Sequence, residues 1–134
     1  NFIFLNRLVK ILSKRVQSMV VVYLKEKNFL LKEGWEEMIK KEEFKKNNFW
    51  QKFCQFLNSF EKNIKKLNPS SDITVYIGKE NPFPFGEDFS LILSKVYLPS
   101  FKETVFSVLG PKRMDYYSSI RSLINLKNLF FKND

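Results

Sequence analysis

Few side chains in this sequence suggest covalent or acid–base chemistry: the thiol of Cys54, and the carboxylate pairs Glu36-Glu37 and Glu42-Glu43. The chain has no histidine, so a Cys54 nucleophile would lack an imidazole base, and the common zinc and triad sets have no material. A single cysteine has no internal disulfide partner. It is expected to be a small buried hydrophobe in a cytoplasmic protein. Both carboxylate pairs lie among lysines, the pattern of a solvated face, and no glycine-rich phosphate loop accompanies them. These residues predict no enzyme, no cofactor and no metal centre.

A formal charge of +9, from 23 Lys and Arg against 14 Asp and Glu, would attract polyanions through counterion release. Two readings are open: a module that binds nucleic acid directly, and a lysine-rich solvated surface. Bidentate contacts that read guanine favour arginine, and the only arginines are Arg7, Arg15, Arg113 and Arg121. Aromatic residues near the lysines fall mostly at core spacing and not as exposed stacking platforms.

The elements that must position these groups fit one domain. A chain of 134 residues can bury roughly two thirds of its unfolded surface. The 15 Phe residues in a 44% hydrophobic composition argue against disorder. No apolar run nears the ~20 residues of a bilayer span; the longest, Met19 to Leu24, meets Lys25-Glu26-Lys27 at once. No membrane partner is expected. The opening Asn1-Phe2-Ile3-Phe4-Leu5-Asn6 has neither an initiator Met nor signal-peptide features, and is expected to be the cut end of a longer chain.

Spacing of three and four residues places Leu5, Leu8, Val9, Leu12, Val16 and Met19 on one face of an amphipathic helix. Val20-Val21-Val22-Tyr23 either prolongs it or begins a strand, and helix is the reading adopted. Phe29-Leu30-Leu31 is a short strand ending at Glu33-Gly34, and a short helix covers Trp35 to Lys40. The strongest helix starts at Asn48, an expected N-cap, and aligns Phe49, Phe53, Phe56, Leu57, Phe60, Ile64 and Leu67 before Pro69. Ile73 to Ile77 reads as a strand, 81–86 as a loop with two prolines, and Phe89 to Leu98 with Glu103 to Leu109 as an antiparallel hairpin. A last helix from Lys112 carries Tyr116, Ile120, Leu123, Ile124 and Phe130 on one side. This order predicts an α+β domain, a mainly antiparallel sheet covered by helices.

Three segments carry a resemblance: Ile77-Gly78-Lys79-Glu80-Asn81-Pro82, then Ser90-Leu91-Ile92 ending in Tyr97, then Gly110-Pro111-Lys112-Arg113-Met114-Asp115-Tyr116. Together they resemble the C-terminal region of the bacterial HrcA heat-shock repressors. Upstream, Glu33-Gly34, Glu43-Phe44 and Leu57 to Glu61 are similar to the same family's glycine turn, Glu-Phe pair and helix, so the resemblance covers about residues 29 to 126. It departs at Lys112, where threonine is usual, and at Phe101-Lys102-Glu103, where glycines are customary.

The resemblance implies a GAF-like fold and a single regulatory domain over 1–134. Within it, a helix in 1–28 belongs to or adjoins an inserted dimerisation subdomain, and 29–134 form the GAF-like part. A DNA-binding winged helix and the first GAF-like strands would precede Asn1. The implied function is repression of chaperone operons by a homodimer on an inverted-repeat operator, with operator DNA held by the winged helix and a signal received from the chaperonin GroEL. The same implication makes Leu5, Leu8, Leu12 and Val16 candidate interface residues. A GAF-like fold also leaves open a small-molecule sensor.

The family-motif residues are Gly78, Glu80, Asn81, Gly110, Pro111, Arg113, Met114, Asp115 and Tyr116, structural or signalling in role. Gly110-Pro111 before a helix would offer free amides and a positive dipole end beside Arg113, where an anion could bind. The competing reading is packing: Asp115 complements the dipole, Arg113 pairs with Glu80, and Tyr116 fills the core. Glu80-Asn81-Pro82 would then be a turn in which the asparagine bonds nearby backbone. The Gly110-Pro111 corner is expected against the strand end at Ile77-Gly78.

Overall fold

A computed structural model of the chain describes residues 1–130. Helix α1 (Phe2–Val16) starts where the Asn1 side chain accepts hydrogen bonds from the Ile3 and Phe4 amides. Strands β1 (Met19–Leu24) and β2 (Phe29–Glu33), the short helix α2 (Trp35–Ile39), a 3-10 turn at Glu42–Lys45 and the Phe-rich helix α3 (Phe49–Asn63) follow. Strand β3 (Thr74–Ile77), a 3-10 turn at Gly78–Glu80, the hairpin of β4 (Phe89–Leu98) and β5 (Lys102–Pro111), and helix α4 (Tyr116–Leu129) complete the order.

The strands form one antiparallel sheet in the order β2-β1-β5-β4-β3. Because successive side chains of a strand point to opposite faces, Val20, Val22, Ile92, Val96, Phe106 and Val108 pack under α1 and α4. Met19, Val21, Phe89, Leu91, Leu93 and Leu109 pack under the α2–α3 layer. On that second face Phe53, Phe56, Phe60 and Phe89 are fully buried. Phe56 stacks on Phe89 with ring centroids 5.3 Å apart, and Phe53 meets the same ring edge-on at 5.4 Å. The space between sheet and α3 is thus filled by aromatic rings.

This is the expected α+β arrangement of an antiparallel sheet covered by helices. Four local expectations change. Residues 20–23 are strand, so 1–28 holds a helix and the sheet's second strand in space; β1 is buried along its whole length, and a strand covered on both faces shows no polar alternation by which to recognise it. Helix α4 begins at Tyr116, four residues beyond Lys112, because Asp115 caps it. Asn48 precedes α3 in a left-handed conformation without a capping side-chain bond. Cys54 is exposed on α3, one position round the helix from the buried Phe53.

The candidate interface stripe is also placed differently. Leu5, Leu12 and Val16 are buried against the chain's own sheet, with Leu8 half-buried beside them. What α1 offers outward is Phe2, Ile3, Phe4 and Ile11, each between 46% and 67% exposed.

Truncating Phe56 to Ala should cost about 3–5 kcal/mol, since it removes a ring from a filled core. Cys54→Ser, at an exposed site, should stay within about 0.5 kcal/mol of wild type. Urea unfolding of both variants checks the contrast, and equal losses would contradict this placement of α3.

Candidate functional site

The family-motif residues converge at one end of the sheet. Ile77 pairs with Ser90, and Ser90 in turn with Gly110, so the corners at Gly78 and at Gly110-Pro111 flank the start of β4. They touch: a Cβ built on Gly78, whose φ is +60°, would lie 3.1 Å from Lys112 Cδ and 3.3 Å from the Glu87 carbonyl oxygen. Left-handed backbone and this close approach both select glycine there. At Gly110 the constraint is space alone, because a Cβ would sit 3.0 Å from Met114 Cε and 3.1 Å from Ser18 Oγ.

Two polar side chains hold the first corner. The Glu80 carboxylate accepts from the Ile77 amide at 2.9 Å. The Asn81 amide nitrogen lies 3.0 Å from each of the Gly78, Gly86 and Phe89 carbonyl oxygens. One side chain therefore spans the 81–89 loop and fixes where β4 begins. Its two amide protons serve three acceptors, while its own oxygen is buried without a partner.

The second corner is built from backbone and a hydroxyl chain. Pro111 ends β5 opposite Phe89, and its carbonyl accepts from the amide of the buried Met114 at 3.1 Å. Asp115 accepts from the Ser118 amide at 3.0 Å and so occupies the positive end of α4. The half-buried Tyr116 packs on the core, and its phenol donates to the Lys112 carbonyl. Its oxygen is then free to accept from Ser90 Oγ at 2.6 Å. Turn, helix and central hairpin are joined by that one hydroxyl.

Arg113 does not pair with Glu80, whose carboxylate is taken by the Ile77 amide. It reaches the 3-10 turn before α3 instead, where Nε and a terminal guanidinium nitrogen donate to the two Glu43 oxygens at 3.2 and 3.3 Å. This fork ties the layer of α4 to the layer of α2 and α3. Burial pushes the Glu43 carboxyl up, but its own backbone hydrogen bond and the Arg113 guanidinium outweigh that and hold it below the usual carboxylate range. Burial lowers the neighbouring Lys41, against the opposing pull of Glu43 and Glu37.

With Asp115 on the helix amides and Arg113 on Glu43, packing accounts for the groups that an anion would need. Sequence reasoning missed the roles of Glu43 and Ser90, although both lie in resembling segments, and it missed Ser18, a small polar residue in the bend before β1 that carries no signal of its own. Among the described residues no group of three or more His, Cys, Asp or Glu could hold a metal ion. No described helix is long and apolar enough to cross a membrane.

The geometry defines an α+β domain whose marked residues lock strand ends to a helix and to the opposite layer. Residues 3–120 match the family described as the HrcA protein C terminal domain, and the chain belongs to that family. It is 32% identical over 95 residues to the heat-inducible transcription repressor HrcA of Dehalococcoides mccartyi strain 195, a match covering 68% of this chain and 27% of that protein. It is 30% identical over 95 residues to the repressor of the same name from Natranaerobius thermophilus, covering 71% and 28%. The chain thus spans a little over a quarter of the length of these relatives. A crystal structure of a hypothetical protein shares the fold, with a TM-score of 0.56 at 22% identity over 74% of this chain and 31% of that one.

Tyr116→Phe should lower stability by about 1–3 kcal/mol, because it leaves the hydroxyl of the buried Ser90 without this partner. In a double-mutant cycle with Ser90→Ala, a coupling of about 0.5 kcal/mol or more is expected; strict additivity would contradict the hydroxyl chain.

Glu43 sets a pH dependence. Its depressed folded-state pKa contributes stability above the unfolded carboxylate range, and this is lost as pH falls through the folded value. Arg113→Gln should therefore be less stable than wild type at neutral pH, by a modest amount given how exposed Arg113 is. The difference should close in acid. Urea unfolding at both pH values reads it, and a gap that persists below the carboxylate range would contradict the pairing.

Proposed function

We propose that this chain is the regulatory and dimerising region of a cytoplasmic, heat-inducible transcription repressor controlling chaperone operons. In this reading operator DNA is recognised by a winged helix in another part of the protein. This region pairs two subunits so that their winged helices meet two half-sites, and it is the part that receives a signal from GroEL. The observation that carries the reading is the HrcA C-terminal-domain match over residues 3–120, supported by relatives named as transcription repressors.

Since Leu5, Leu12 and Val16 are occupied in the core, self-association needs another surface. Phe2 and Phe29, 46% and 44% exposed, support one: their rings meet at 5.4 Å beside β2, one of the two edge strands of the sheet. Exposed aromatic pairs on a strand edge are the kind of surface a second copy covers.

Sedimentation of the intact repressor at micromolar concentration should show a dimer, and Phe2→Glu with Phe29→Glu should shift it towards monomer. A wild-type protein that stays monomeric with and without operator DNA would overturn the dimer mechanism.

A further inference from the structure

The cations are not spread evenly over the two helical layers. Helices α1 and α4 contain Arg7, Lys10, Lys14, Arg15, Arg121 and Lys127, and no carboxylate. The opposite layer mixes Glu36, Glu37, Glu42, Glu43 and Glu61 with its lysines. Among the described residues the ion pairs are made by Lys25, Lys32, Lys40, Lys45, Lys52, Lys95 and Arg113, so the cations of α1 and α4 make none.

Within this layer the charges divide further. Lys127 donates to Ser94 Oγ at 3.1 Å, and Lys10 and Lys14 border a groove shared with Glu33, Glu36 and Glu37. At 3.6 residues per turn Arg7 and Lys14 lie roughly 20° apart, on the side of α1 opposite its buried stripe. Arg15 is on the flank that meets α4, where its carbonyl accepts from Ser118 Oγ at 3.2 Å. Arg121 is exposed on α4 one turn beyond Tyr117, itself 77% exposed. Three of the four arginines are on this face; of the carboxylates at its rim, Asp115 is engaged in capping, while Glu33, Glu36 and Glu37 border only the Lys10–Lys14 flank.

From this arrangement we infer that the α1–α4 face, centred on Arg7, Lys14, Arg15 and Arg121, docks on the sugar-phosphate backbone of duplex DNA flanking the operator. The inference rests on the repressor reading and adds a second, sequence-blind attachment to it. The exposed Phe4 and Ile11 lie between Arg7 and Arg15 on α1, yet a second copy of the chain is a poor occupant of this face, because two-fold pairing would set the same cations against each other. Duplex DNA is complementary: it carries about one charge per 1.7 Å of axis, and α1, with 15 residues, is roughly 22 Å long. Guanidinium groups bind phosphate in a fork geometry. Such attachments fix position and register and carry no base information, which leaves selection of the operator to the other domain.

The test uses the intact repressor, with affinities for operator duplex and for a random duplex measured over a range of salt concentrations. Neutralising the face (Arg7→Gln, Lys14→Gln, Arg15→Gln, Arg121→Gln) should flatten the plot of log affinity against log salt by about 0.9 for each phosphate no longer neutralised, on both duplexes. The charge-keeping set Arg7→Lys, Arg15→Lys and Arg121→Lys should retain most of the slope. An unchanged slope in the neutralised, folded variant overturns the inference. So does a loss confined to dimerisation, or binding to phosphatidylglycerol vesicles with no change on DNA. If the wild type does not prefer operator over random duplex, the repressor reading fails instead, and the random-duplex slopes still decide the role of this face.

Discussion

Burial of the sheet on both faces is the constraint from which the rest of this structure follows. Strand β1 lies between β2 and β5 with each of its six residues buried, so neither helical layer can be removed without exposing half of the core. Two layers on one sheet need two sets of amphipathic helices, and the chain supplies them as α1 with α4 on one face and α2 with α3 on the other. The core of the first is largely aliphatic around Phe101 and Phe106, while the second is built on Phe rings.

The marked residues make sense as fastenings of that sandwich. Asn81 gathers three carbonyls into one loop, Tyr116 joins a turn to β4, and the Arg113–Glu43 fork links the two helical layers around the end of the sheet. Each replaces water that a strand end or turn would otherwise need. None is arranged for bond making. A domain fastened in this way is suited to holding other surfaces in fixed relation, which agrees with membership of a family of transcription repressors.

Much of this was legible in the sequence because physical periodicity is strong where one face is wet. Helices α1 and α3 show it; the hairpin from Phe89, buried along nearly its whole length, was legible instead from its apolar runs and the short turn between them. The glycine corners were legible for a different reason: a run such as Gly110-Pro111-Lys112-Arg113-Met114-Asp115-Tyr116 is specific enough to resemble one family, and that resemblance already set Gly78 beside Gly110. Illegible parts have physical causes. Val20 to Tyr23 sits between two apolar layers, so no polar residue marks its period. Cys54 is exposed although its residue type is usually buried, because its neighbour Phe53 takes the inward position. Arg113 was expected on Glu80, but the Ile77 amide occupies that carboxylate and Arg113 reaches Glu43, which is distant in sequence.

If this region brings two DNA-binding subunits onto one operator, the stoichiometry of the complex must show it. Native mass spectrometry of the intact repressor with a single operator duplex is the most direct test. Two protein copies per duplex, with no stable complex of one copy, are predicted. A stable complex of one protein copy on a complete operator would contradict the pairing role.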